Sequence, residues 1–180
     1  MNLPNRLTVI RVALIPFFVL FMLTDLGGAA NRYIALVIFV IASLTDLADG
    51  KIARRYNLVT NFGKFMDPLA DKLLVCSAFI CLVQMQKLAA WICIIIIARE
   101  FIISGLRLVA SDNGVVIAAS YWGKFKTTFQ MLAVIMLILD FGGVFDIVET
   151  VLVYAALILT VVSLIDYIWK NRKVLMEGDI

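Results

Sequence analysis

Histidine is missing from all 180 residues. Its absence excludes Ser-His and Cys-His nucleophilic pairs and the common His-bearing zinc sites. Cysteine is scarce: Cys76, Cys81 and Cys93 lie inside apolar runs, none in a CxxC pair. They read as packing residues rather than metal ligands or disulfide partners. Charged residues make up only 16% of the chain, and there is no low-complexity tract and no internal repeat of the kind that inverted-repeat transporters show. The opening "MNLPNRLTVIR" lacks the basic, apolar and small-residue plan of a cleaved signal. Any chemistry must run on carboxylates, basic side chains and metals held by oxygen.

What is abundant is apolar surface. With 63% hydrophobic residues and a mean hydropathy of +1.02, the composition is that of an integral membrane protein. At about 20 residues per span, the chain accommodates about six helices with short loops and leaves no room for a soluble domain. Six apolar segments can be drawn, about 7–24, 33–55, 66–86, 89–110, 123–140 and 149–169, all within one membrane domain over 1–180. Turn signals separate them, among them Gly27-Gly28, Asp112-Asn113-Gly114 and Gly142-Gly143. Every Lys and Arg except Arg32 and Lys87 falls toward one side. By the positive-inside rule that side, with both termini, is cytoplasmic. Trp91 and Trp169 read as interfacial anchors.

Against this background, the stretch "DLADGKIARRYNLVTNFGKFMDPLAD" carries four aspartates. Asp46, Asp49, Gly50 and Ala53 are spaced i, i+3, i+4, i+7 and share one helix face. Gly63, Asp67 and Asp71 follow at i, i+4, i+8 on the next helix. Counting about 1.5 Å per residue from the outer helix ends puts Asp46 and Asp71 roughly 20 Å deep. Within a hydrocarbon core about 30 Å thick, that is just inside the cytoplasmic boundary, at head-group level. An ionised side chain at the centre of a spanning helix costs about 2.5–3.5 kcal/mol on insertion scales, and less near the boundary. Four like charges also repel, and two divalent cations would cancel them. Oxygen ligands without His or Cys favour Mg²⁺ or Mn²⁺ over zinc. Gly50, Ala53 and Gly63 leave a groove for a flat base or a phosphate, with Arg54 and Lys64 beside it as phosphate partners. The simpler alternative makes these helix-end aspartates near water, with Asp67 before Pro68 a cap.

The pattern Asp46-x2-Asp49-Gly50-x2-Ala53-Arg54-x8-Gly63-x3-Asp67-x3-Asp71 resembles the signature of the CDP-alcohol phosphotransferase family, with every fixed position present. The stretches "NLPNRLTVIRVALIP", "DPLADKLL" and "AREFIISGLR" resemble bacterial members that use glycerol 3-phosphate. The resemblance implies an all-α bacterial cell-membrane enzyme with six transmembrane helices, usually a homodimer, its active site between helices 2 and 3 near the cytoplasmic face. It implies transfer of a phosphatidyl group from CDP-diacylglycerol to an alcohol, with release of CMP. It further implies that Asp46, Asp49, Asp67 and Asp71 hold two metals, Asp49 and Asp67 bridging, and that Asp71 takes the acceptor's proton. Asp49, Gly50, Ala53, Arg54 and Gly63 would cradle the CDP moiety. Membrane lipids are the surroundings, and no nucleic acid is expected as a partner.

For the acceptor, Arg107, Lys124 and Lys126 share the aspartates' depth by the same count and suit a dianionic phosphate such as glycerol 3-phosphate. The alternative is that they snorkel to the interface. Arg99-Glu100 lies near mid-helix and reads as an ion pair or a shaping element. Other alcohols, including phosphatidylglycerol, inositol or serine, remain open as acceptors. From another class, four intramembrane carboxylates also suit a cation transporter.

Overall fold

The computed structural model describes residues 2–55, 60–112, 114, 115, 117 and 120–172; the side chains of 47–55, 61, 62, 64, 65 and 112 are outside the description. Among the described residues the chain is helical, without strands. The helices are α1 (Leu3–Leu23), α2 (Asn31–Arg55), α3 (Asn61–Gln84), α4 (Ala90–Asp112), α5 (Tyr121–Leu139) and α6 (Val144–Lys170). A single 3-10 turn, Gly28–Ala30, leads into α2.

Several helices start before the apolar run that announces them, because capping rather than hydrophobicity sets a helix start. The Asn2 side chain accepts from the Asn5 N–H at 3.2 Å and Pro4 sits in the first turn, so α1 begins at Leu3 rather than near 7. Thr60 Oγ1 accepts from the Gly63 N–H at 3.0 Å and starts α3 at Asn61 rather than 66. Ser120 Oγ accepts from the Gly123 N–H at 3.2 Å and starts α5 at Tyr121. The turn into α6 uses Gly142 and Gly143 at φ 73° and 64°, conformations that suit glycine.

Among the described residues four spans are long and apolar enough to cross a membrane: Leu3–Leu23, Gly28–Asp46, Tyr121–Leu139 and Val144–Lys170. Helices α3 and α4 have comparable lengths, 24 and 23 residues. Charged residues interrupt both, Lys64, Asp67, Asp71 and Lys72 on one and Arg99, Glu100, Arg107 and Asp112 on the other. Large apolar side chains such as Leu108, Val144 and Ile158 project outward unburied, as do Trp91 and Trp169. Such a surface is costly in water and ordinary in lipid.

The chain divides into two compact units, Met1–Leu88 and Ala89–Ile180. In the first, α1 packs against both α2 and α3. Its buried residues Pro4, Thr8, Arg11, Ile15, Phe18 and Met22 recur every three or four positions and form one seam. The C-terminal half of that seam is apolar, with Phe18 against Phe39 at a ring separation of 5.8 Å. Ala35, Ala42, Ala70 and Ala78 are buried, small residues of the kind that let membrane helices approach closely. The N-terminal half of the seam is polar, and Thr8 and Arg11 meet Asp67 and Asp46.

In the second unit α6 packs against α4 and α5. Its buried face carries Thr160 and Ser163. Gln130 Nε2 donates to Thr160 Oγ1 at 3.1 Å, and Arg99 Nε donates to Ser163 Oγ at 3.1 Å. Each of these polar groups finds a partner inside the unit, as an apolar solvent demands. Cys81 and Cys93 are buried and Cys76 is half-buried, and none of the three is in a disulfide.

Candidate active site

Asp46 lies in the C-terminal half of α2, and its Oδ1 accepts from Arg11 Nη1 of α1 at 2.8 Å. Arg11 is fully buried, and its Nε also donates to the Ala42 carbonyl at 3.2 Å. The guanidinium is thus pinned at two points one turn apart on α2, which its planar fork permits and a lysine could not match.

Asp67 belongs to α3. Thr8 Oγ1 of α1 donates to Asp67 Oδ1 and lies 3.1 Å from the Pro4 carbonyl. Asp46 and Asp67 are near enough for their charges to repel each other. Asp67 is not a helix cap: Thr60 caps α3, and Asp67 and Pro68 both lie inside it. Asp71 follows one turn later and is half-buried.

Gly63 is buried one helical turn before Asp67. A Cβ there would stand 3.2 Å from Asn5 Oδ1, 3.3 Å from Thr60 Oγ1 and 3.4 Å from Asp67 Oδ2. Thr60 Oγ1 in turn donates to Asn5 Oδ1 at 2.9 Å. The missing side chain is therefore where α1 and the Asp67 carboxylate come close to the α3 backbone.

Asp49, Gly50, Ala53 and Arg54 lie on the α2 backbone, but their side chains are outside the described residues, as is that of Lys64. Among the described residues no three acidic or thiol groups converge as a metal cage. The donor chemistry nonetheless fits a hard cation: Asp46 and Asp67 supply oxygens only, their charges repel one another, and the chain has no His to add a softer ligand.

The second unit holds the sequence-predicted cations. Arg107 is exposed, with its guanidinium 5.6 Å from the centre of the Tyr167 ring. Lys124 is exposed over Tyr121 at 5.4 Å. Lys126 is buried instead and ion-paired to Glu100, which Arg99 also contacts at 3.2 Å. The Arg99–Glu100 pair expected from the sequence is present and extends to Lys126.

Sequence reasoning missed the polar face of α1. Asn5, Thr8 and Arg11 are spaced i, i+3, i+6 and all are buried against the aspartate helices. Arg11 had counted only toward topology. The signal was in "NRLTVIR": three polar residues on one face of an apolar helix have to be satisfied by something.

The family model for CDP-alcohol phosphatidyltransferase matches residues 1–162. A Bacillus subtilis protein named CDP-diacylglycerol–glycerol-3-phosphate 3-phosphatidyltransferase is 45% identical over 192 aligned residues, covering 99% of each chain. A Haemophilus influenzae protein of the same name is 42% identical over 98% of this chain and 97% of its own. A probable phosphatidylglycerophosphate synthase of Mycobacterium tuberculosis is 39% identical over 93% of this chain and 80% of its own. A likeness that runs through both units, and takes in all four aspartates, makes this chain a member of the CDP-alcohol phosphatidyltransferase family.

Proposed function

We propose that this enzyme transfers the phosphatidyl group of CDP-diacylglycerol to glycerol 3-phosphate, giving phosphatidylglycerophosphate and CMP, a step of phospholipid synthesis. The observation that carries the reading is the near full-length 45% identity to a relative named for that reaction. The family match crosses the boundary between the two units, which supports one membrane domain over 1–180. Six spans, with both termini cytoplasmic in a bacterial membrane, follow from the basic-residue asymmetry and the six helices. The family resemblance supports a homodimer.

Asp46, Asp49, Asp67 and Asp71 would hold two divalent cations, Mg²⁺ or Mn²⁺. When bound, the metals neutralise the diphosphate and stabilise charge developing on the attacked phosphorus and on the departing CMP. Gly50, Ala53, Arg54 and Gly63 cradle the cytidine and its phosphates. Asp71 accepts the proton of the glycerol hydroxyl as its oxygen bonds to the phosphatidyl phosphorus. The bond from that phosphorus to the CMP oxygen breaks, and CMP leaves with the electron pair. Arg107 and Lys124, exposed and cationic, would orient the acceptor's phosphate, with Lys126, ion-paired to Glu100, as a third candidate.

The deciding experiment is an acceptor panel. Purified protein with CDP-diacylglycerol should release CMP with glycerol 3-phosphate and form phosphatidylglycerophosphate. Product formed instead from phosphatidylglycerol, serine or inositol phosphate would reassign the acceptor. A charge-assisted hydrogen bond contributes about 1.5–3 kcal/mol, so losing one weakens acceptor use by roughly 10- to 150-fold. Arg107→Ala and Lys124→Ala should therefore raise the KM for glycerol 3-phosphate far more than that for CDP-diacylglycerol. Unchanged acceptor saturation in both folded variants makes these residues interfacial anchors only.

A further inference from the structure

Helix α1 brings to the carboxylates side chains for which the proposed chemistry has no use. Thr8 and Arg11 are each fully buried, one turn apart on the same face. Each reaches a different aspartate on a different helix: Thr8 touches Asp67 and Arg11 touches Asp46. We propose that Thr8 and Arg11 are positioning residues that hold the Asp67 and Asp46 carboxylates oriented for a divalent cation, so that α1 sets the metal affinity of the site. The inference rests on the reading that these two aspartates hold the metals.

A carboxylate at the head of a flexible side chain samples several rotamers, and a donor on one oxygen restricts it while leaving the other for a ligand. The Thr8 hydroxyl has one proton and two acceptors in reach. The Pro4 carbonyl is the ordinary within-helix partner, whereas Asp67 lies 59 residues away in sequence. Arg11 acts on Asp46 with the firmer grip, because its second contact, to the Ala42 carbonyl, fixes the guanidinium relative to the helix that carries Asp46. Charge argues the same way. Four aspartates and two divalent cations sum to zero, and the buried Arg11 leaves the loaded set one positive charge ahead. That balance favours an anionic diphosphate over a neutral ligand. Packing alone does not account for the pair: an apolar seam would join α1 to its neighbours without the cost of burying a guanidinium.

The test is direct metal binding by the full chain in detergent, with Mn²⁺ alone as the probe, read from the electron paramagnetic resonance of free Mn²⁺. Thr8→Val keeps the shape and removes the donor, Thr8→Ser keeps the donor, and Arg11→Lys keeps the charge and removes the fork. Outer partners of metal ligands are typically worth 10- to 100-fold in affinity, so T8V and R11K should each weaken Mn²⁺ binding by about that factor. T8S should stay close to the native chain. Thermal unfolding in parallel identifies folded samples, and R11K carries the comparison if T8V is not recovered folded. Native Mn²⁺ affinity in folded T8V or R11K overturns the positioning role and leaves α1 a packing element. A native chain without saturable Mn²⁺ binding, or an Asp67→Asn variant that binds as tightly as the native one, overturns the metal reading itself, and the two failures are distinguishable.

Discussion

Removal of divalent metal abolishes turnover: with excess chelator, CMP release from CDP-diacylglycerol and glycerol 3-phosphate falls to background, and Mg²⁺ or Mn²⁺ restores it. The reason starts from what the chain lacks. Without histidine, the diphosphate is left to carboxylates and a few cations, and carboxylates facing phosphates repel them. Asp46 and Asp67 are already close enough to repel each other. Arg11, a buried cation at this pair, binds Asp46 and the Ala42 carbonyl. Divalent ions held there would reverse the sign of the site and admit substrate phosphates. Zinc should substitute poorly, since an all-oxygen donor set favours harder ions. Full activity after exhaustive chelation, checked by elemental analysis of the sample, would rule out the two-metal reading.

Asp71→Asn lowers kcat by at least the roughly 100-fold typical of losing a general base. The substitution keeps the side chain's size and one oxygen able to meet a metal, and removes the proton acceptor. Asp71 suits the role by position: it stands one helical turn beyond Asp67 on the same face of α3 and is only half-buried, so an acceptor hydroxyl can reach it. CDP-diacylglycerol binding should survive in part, which separates the base from a purely structural carboxylate. Single-turnover CMP release alongside equilibrium binding of the nucleotide lipid measures both. Near-native turnover in this variant moves the base to another residue.

The sequence by itself determined the membrane class, the helical segments and the signature, because each depends on local pattern. Apolar runs report the solvent, and spacings of three and four report a shared helix face, so Asp67 and Asp71 could be grouped before any coordinates existed. Helix starts were less legible. Hydrophobicity marks where lipid begins, whereas Asn2, Thr60 and Ser120 mark where the backbone N–H groups first need caps. The tertiary structure decided what each face meets. Periodicity showed that Asn5, Thr8 and Arg11 lie together, but nothing local says that α1 packs on both aspartate helices, with Thr8 touching Asp67 and Arg11 touching Asp46. Lys126 makes the same point from the other unit. A count along the helix put it level with the aspartates, while its rotation about α5 turned it inward to Glu100. Depth is a one-dimensional property that the chain order carries; partnership depends on how helices rotate and pack, and that is settled only when distant segments meet.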